Sequence, residues 1–346
     1  MGDQTDCQYH LTPREACEAL RRGFDRACRH RPASCFDVAL AGAKVRLRIP
    51  DPAIEALFRA CYGHLEVTGD PTAPVATIDL WAAADASPWP RPDNPWGRLV
   101  FDPQRRFVHD WRPRSDAVLD VEGRSIVACF PDPAALTLDE RAKPLHRLIG
   151  GLLSRWGAAM VHGALVADAD RAVLIVGAGG SGKSTTALAA RMAGLDYLGD
   201  DYVGLAAPDG VAIGYSLFAS GLVGTGPLDR LPAADGLFAD AASLPDEAKK
   251  LIYLTDGMRR EARIAAVLLP QVGRGAATAL APAGMADFLL AAAPHSLLAN
   301  AQDRGVALDV MDRVGSLVPV WRASLGHDMA GVVAALRTVA ARPDSE

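Results

Sequence analysis

Gly177, Gly182, Lys183 and Ser184 fill every fixed position of the pattern G-x-x-x-x-G-K-[ST], within GAGGSGKST. The chemistry of that pattern is a phosphate cradle. Glycines let backbone N–H groups turn inward around phosphate oxygens. A following helix N-terminus adds partial positive charge. Gly177, Ala178, Gly179, Gly180, Ser181, Gly182, Lys183, Ser184 and Thr185 are therefore expected to bind a nucleoside triphosphate. Lys183 carries a full charge to the β- and γ-phosphates, and the Ser184 hydroxyl is a ligand for Mg²⁺. The plain alternative is a Gly-rich turn between a strand and a helix. Asp200 and Asp201 follow Lys183 by seventeen and eighteen positions. Two carboxylates beside a metal–triphosphate have two distinct tasks. One can hold the metal or its water, and the other can accept a proton from an attacking hydroxyl. Like charges this close raise one of the two pKa values, which suits a base. The alternative is an ordinary turn or N-cap Asp pair.

These groups need elements to hold them. The β-branched run 172–176 reads as the strand entering the loop, and 183–193 as the helix leaving it, stopped by Gly194. One helix and a turn separate Lys183 from the next strand, 197–205, which contains Gly199-Asp200-Asp201. Upstream, 158–167 reads as a strand pair or one bent strand around His162-Gly163. Further strands are expected at 211–215, 251–254, 264–269 and 318–322, with helices at 285–292, 297–314 and 328–341.

The first part of the chain has a different texture. Thr12-Pro13-Arg14-Glu15 is a capping box that opens a helix to about residue 30. Ala16, Leu20, Phe24 and Cys28 form its apolar stripe. Arg21, Arg22, Arg26 and Arg29 face the other way, as a solvated face or a docking surface for an acidic peptide. Residues 36–50 alternate as strands do, and 51–62 reads as a helix. Short strands are expected at 75–80, 98–101, 106–111, 117–121 and 125–130, punctuated by Pro/Asp/Asn/Gly clusters. Trp81, Trp89, Trp96 and Trp111 read as packing anchors. A second capping box, Thr137 to Glu140, opens a helix expected to restart at Pro144 and to reach about residue 156. Two domains are expected: a β-rich α+β module over 1–135 and an α/β domain over 136–346.

Bulk properties exclude several classes. The chain has 346 residues, half of them apolar, and a net charge of −5, which argues against a general nucleic-acid binder. No apolar run approaches the roughly 20 residues that span a bilayer, so no membrane partner is expected. The N-terminus lacks the pattern of a signal peptide. Six cysteines without C-x-x-C spacing read as reduced thiols of a cytoplasmic protein.

The order His162-Gly163, then GAGGSGKST, then Gly199-Asp200-Asp201 resembles the HPr kinase/phosphorylase family. The likeness covers roughly residues 140–340. It implies a C-terminal P-loop domain similar in fold to ATP-dependent phosphoenolpyruvate carboxykinase. It also implies an enzyme, an ATP- and Mg²⁺-dependent kinase acting on a serine hydroxyl. By the same likeness Asp201 is the acid/base, Asp200 the partner in metal binding, and His162 a neighbour of the transferred phosphate. A weaker likeness makes Lys250 a phosphate contact, with a solvated loop as the alternative, and Arg263 and Arg274 are candidates to clamp phosphate, with a structural role as the alternative. The family's bifunctional members carry a Glu in a Gly-rich signature after the Asp-Asp strand. The corresponding GYSLFASGLVGTG has no acidic residue, a departure that bears on the phosphorylase half-reaction and on HPr itself, and the acceptor stays open between an HPr-like protein and a ribosomal peptide precursor. The layout is similar to HPr-kinase-like proteins of ribosomally made peptides, some of which phosphorylate a precursor serine in lasso-peptide pathways. The resemblance thus implies a peptide or small-protein acceptor, and relatives of this kind are often homo-oligomers. Two rival readings stay open: a small-molecule kinase on the same domain, and a non-catalytic nucleotide sensor.

Overall fold

The computed structural model describes residues 11–82, 92, 94, 96–224, 249–254, 257–273, 275 and 277–341. The chain is mixed α/β, and both of its large sheets combine parallel and antiparallel pairs. Among the described residues no helix is long and apolar enough to cross a membrane.

The first capping box forms: Glu15 N–H donates to Thr12 Oγ1 at 3.3 Å, and Thr12 N–H to Glu15 Oε2 at 2.8 Å. Helix α1 (Pro13–His30) then lays Ala16, Leu20 and Phe24 against Trp81, Val118 and Val127. Those residues belong to a seven-stranded sheet of β1 (Ser34–Leu40), β2 (Ala43–Ile49), β3 (Ala76–Trp81), β4 (Arg98–Phe101), β5 (Phe107–Trp111), β6 (Asp116–Asp120) and β7 (Ser125–Cys129). Its order is β1-β2-β3-β7-β6-β5-β4. The alternating run 36–50 is a hairpin, because Ala41 and Gly42 both take positive φ, 45° and 79°. Of the expected tryptophan anchors, Trp81 and Trp111 are buried, whereas Trp96 is 77% exposed and packs as no anchor. Trp89 lies outside the described residues, as does Cys7, and the other five cysteines are free thiols.

Helix α2 (Pro52–Tyr62) and helix α4 (His146–Leu153) cover the other face, where Ile54, Phe58, Leu148 and Leu152 share one buried cluster with Leu47 and Ile78. The short α3 (Leu138–Ala142) precedes α4, and the chain does restart beyond Pro144. The same cluster continues into Met160, Leu217 and Ala299 of the second layer.

That layer is a nine-stranded sheet. Its strands are β8 (Ala159–His162), β9 (Ala164–Asp168), β10 (Arg171–Ile175), β11 (Asp196–Gly199), β12 (Tyr202–Ala206), β13 (Ile213–Tyr215), β16 (Glu261–Val272), β17 (Ala279–Ala283) and β18 (Val320–Leu325). The pair β14 (Ser220–Gly224) and β15 (Lys249–Tyr253) stands apart. The central pair β10–β16 is parallel and reads as continuous apolar sequence, as a strand covered on both faces must. One face carries α5 (Lys183–Met192) and α8 (Met329–Ala341), and the other α6 (Met285–Ala299) and α7 (Arg304–Leu317).

Two expectations need correction. The strand expected over 197–205 is broken into β11 and β12, since Asp201 takes φ 70° and cannot continue a ladder. The helices expected at 285–292 and 297–314 are instead Met285–Ala299, running through Pro294, and Arg304–Leu317. Burial of Phe288, Ala292 and Ser296 on one side outweighs the hydrogen bond that Pro294 removes.

Candidate functional site

The site gathers where β10, β11 and β8 end. Val176 N–H bonds Leu268 O at 3.0 Å, and the chain then leaves the sheet. Gly182 ends the loop at φ 104°, where a Cβ would sit 2.7 Å from Leu325 Cδ1. The backbone angle thus favours glycine there, and a side chain would also have to push the Leu325 tip aside. At Gly179 and Gly180 a Cβ would meet nothing within 4 Å, so this stretch of backbone is open on one side. Lys183 is buried, and its Nζ donates to Gly177 O at 2.8 Å and Ala178 O at 3.1 Å. Ser181 Oγ and Thr186 Oγ1 are buried without a hydrogen-bond partner among the described residues. A glycine-rich loop with orphaned hydroxyls and an open backbone is suited to oxygen-rich ligands.

Asp200 lies 4% exposed at the end of β11, beside that loop. Ser184 and the Asp201 N–H both donate to its carboxylate, the latter at 2.8 Å. Burial is the larger influence and raises its pKa to about 6, against these hydrogen bonds. The positive φ of Asp201 turns the next side chain away from the ladder, and two partners receive it. His162 Nε2 is 3.1 Å from Asp201 Oδ1, and Lys143 Nζ pairs with Asp201 Oδ2. His162 sits opposite Tyr202 in the β8–β12 register. Its neighbour Gly163 is forced by packing, because a Cβ there would lie 2.8 Å from Ile175 O. Burial drives the His162 pKa down to about 4; Asp201 opposes the shift, and Lys183 and His295 add to it. The ring is therefore neutral at pH 7.

Lys143 is the residue that sequence reasoning missed. It comes from the turn between α3 and α4, 58 residues before Asp201, and also pairs with Asp139 at 2.8 Å. Burial works against its charge, but Asp201 and Asp139 outweigh burial and hold its pKa above the usual lysine value. The turn itself is clamped. Cys61 Sγ contacts Arg141 O at 3.0 Å, Tyr62 Oη donates to Pro144 O at 2.7 Å, and Tyr253 Oη to Arg141 O at 3.2 Å. Ser220 Oγ donates to Ala142 O. The spacing of Asp139 and Lys143 marks a helical ion pair, but nothing local in sequence points from Lys143 to Asp201.

The structure thus brings Lys183, Ser184, Asp200, Asp201 and His162 together. Arg263 is not brought to them. It pairs with Arg171 at the start of β10, while the loop leaves that strand's far end after Ile175. Parallel pairing therefore carries it to the opposite edge of the sheet. Lys250 pairs with Val223 in β15, and its side chain lies outside the described residues. Arg274 lies outside them altogether.

Ser184 and Asp200 are hard oxygen donors already in contact, a set that suits Mg²⁺. Among the described residues no group of three or more His, Cys, Asp or Glu is placed to hold a metal. A magnesium ion here would take the remainder of its shell from water and phosphate oxygens. No protein-family model matches the chain, and no curated protein matches it.

Proposed function

We propose that the chain is an ATP- and Mg²⁺-dependent serine kinase, built on a P-loop domain of the HPr kinase type and acting on a peptide or small protein in the cytoplasm. The observation that carries this reading is the joint placement of two carboxylates. Asp200 is hydrogen-bonded to Ser184 of the glycine loop's helix, and Asp201 is turned outward onto His162 and Lys143. A mere binder of nucleotide has no use for the second one.

In this reading the loop amides and Lys183 hold the β- and γ-phosphates, the ammonium exchanging its two loop carbonyls for phosphate oxygens. Magnesium held through Ser184 and Asp200 supplies neutralising charge at those oxygens. His162 holds one oxygen of Asp201 and Lys143 the other, which fixes the carboxylate that takes the serine proton. The serine oxygen bonds to the γ-phosphorus while the bond from that phosphorus to the bridging oxygen breaks. The electron pair departs with ADP, and the serine proton passes to Asp201.

The test is γ-labelled ATP with Mg²⁺ and a serine-peptide library, read by mass spectrometry for one added phosphate. Asp201→Asn is expected to keep ATP affinity and to lower transfer by roughly 10²–10⁴. Label that reaches no peptide, or transfer unchanged in Asp201→Asn, overturns the proposal.

A further inference from the structure

A further cleft does not touch the carboxylate pair. It has a volume of about 750 Å³ and lies between the edge of the seven-stranded sheet and the loop joining α6 to α7. Arg105, Arg106, Arg155 and Arg304 line it, against two carboxylates, Glu122 and Asp303. The chain as a whole carries −5, so this basic excess runs against the rest of the molecule.

The charges are not equally committed. Arg105 donates to Gln302 O at 3.0 Å and lies 4.3 Å over the Phe101 ring, tying the sheet edge to the α6–α7 loop. Arg106 pairs with Glu122 at 2.7 Å, and Asp303 accepts from Val306 N–H as the cap of α7. Arg155 and Arg304 are exposed and make no ion pair or hydrogen bond among the described residues. Two guanidinium groups are thus left to a ligand, in a wall whose carboxylates are occupied. Guanidinium groups pair with carboxylate and phosphate oxygens, and of these the carboxylate is what a peptide's own side chains supply.

Helix α4 links the cleft to the candidate site. It begins just after Lys143, which holds Asp201, and Gly151 within it and Ser154 just after it line the cleft. From Lys143 to Ser154 the chain advances by roughly 12–17 Å. An extended peptide covers that in about four or five residues.

We infer that this cleft binds acidic side chains of the peptide acceptor, about four or five positions from the phosphorylated serine. The inference rests on the kinase reading for the word acceptor, but the cleft's affinity for an acidic peptide does not. The basic face of α1 is the competing surface. Its Arg21 is already taken by Asp120 at 3.2 Å and Ser125 at 2.8 Å, Arg22 is exposed, and Arg26 lines a smaller cleft of about 480 Å³ with His30 and Arg31.

The experiment uses the full chain and two fluorescent serine peptides, one with Glu at those positions and one with Gln. Anisotropy without nucleotide reads peptide binding, and a fluorescent ATP analogue reads the glycine loop in the same samples. The Glu peptide is expected to bind more tightly, with a preference that shrinks as salt rises. Arg155→Glu/Arg304→Glu should weaken it by roughly tenfold or more, and Arg155→Gln/Arg304→Gln by less. Arg22→Glu/Arg26→Glu should leave it bound. Equal binding of both peptides, or loss in the α1 variant with none in the cleft variants, overturns the inference. Loss of ATP binding with the Glu preference intact would count against the kinase reading alone.

Discussion

His162 Nε2 lies 3.1 Å from Asp201 Oδ1, with the imidazole neutral and the carboxylate held on its far side by Lys143. The proton on the ring is therefore the one that orients the carboxylate. Its cost of removal from water sets the first expectation.

Burial pulls His162 and His64 down to about 4, and pulls His146 well below the usual range. In the unfolded chain each titrates near pH ~6.5. Between these values the unfolded state binds more protons, so stability falls as pH falls through that window. Asp200 acts in the opposite sense, because its pKa is raised to about 6. Its contribution is present at low pH and disappears as pH rises through 6. Three histidines against one carboxyl make the net direction clear. Thermal melts should drop from pH 7 to pH 4.5, and a midpoint that rises on acidification would remove the burial argument.

Asp200→Asn removes a buried charge that costs the fold at neutral pH. We expect the variant to melt higher at pH 8, by on the order of 1–3 kcal/mol of stability. Nucleotide turnover should fall in the same protein. A lower melting point would mean that the hydrogen bonds from Ser184 and the Asp201 N–H outweigh desolvation after all.

Lys143 is 11% exposed at its side chain and balances two carboxylates. Lys143→Met should destabilise by about 1–3 kcal/mol, since Asp201 and Asp139 would lose the cation they share. Adding Asp201→Asn should restore part of the loss. Denaturant melts of the single and double variants decide this, and purely additive losses would deny the coupling.

Gly182→Ala should cost about 1–3 kcal/mol and weaken ATP binding, because φ 104° is unfavourable for a side chain and the Leu325 tip would have to move aside. Gly179→Ala, where a Cβ meets nothing within 4 Å, should be tolerated by the fold. Equal losses at the two positions would contradict the packing described at the loop.

Much of this was readable in advance where the signal is local. Thr137 and Glu140 form their reciprocal cap as the spacing predicts, and β4 is Arg98–Phe101 as the turn-forming clusters around it predict. The glycine loop and the Asp pair are set by types and intervals within forty residues of one another. What stayed hidden depends on distant partners. The break at Asp201 follows from a backbone angle that tertiary contacts impose, and Pro294 is absorbed by a helix whose packing outweighs propensity. Arg263 looked adjacent to an apolar strand, but only the register of β10 with β16 reveals which end of the sheet it occupies.

The clamp on the turn that carries Lys143 draws on Cys61 and Tyr62 from α2, and on Ser220 and Tyr253 from β14 and β15. Separating the chain near residue 136 would sever half of those tethers. It would also strip Leu148, Leu152 and Met160 of their apolar covering. A polypeptide starting there should come out of the cell sticky and poorly behaved, with its key ammonium swinging loose. The two layers have to be produced as one continuous piece.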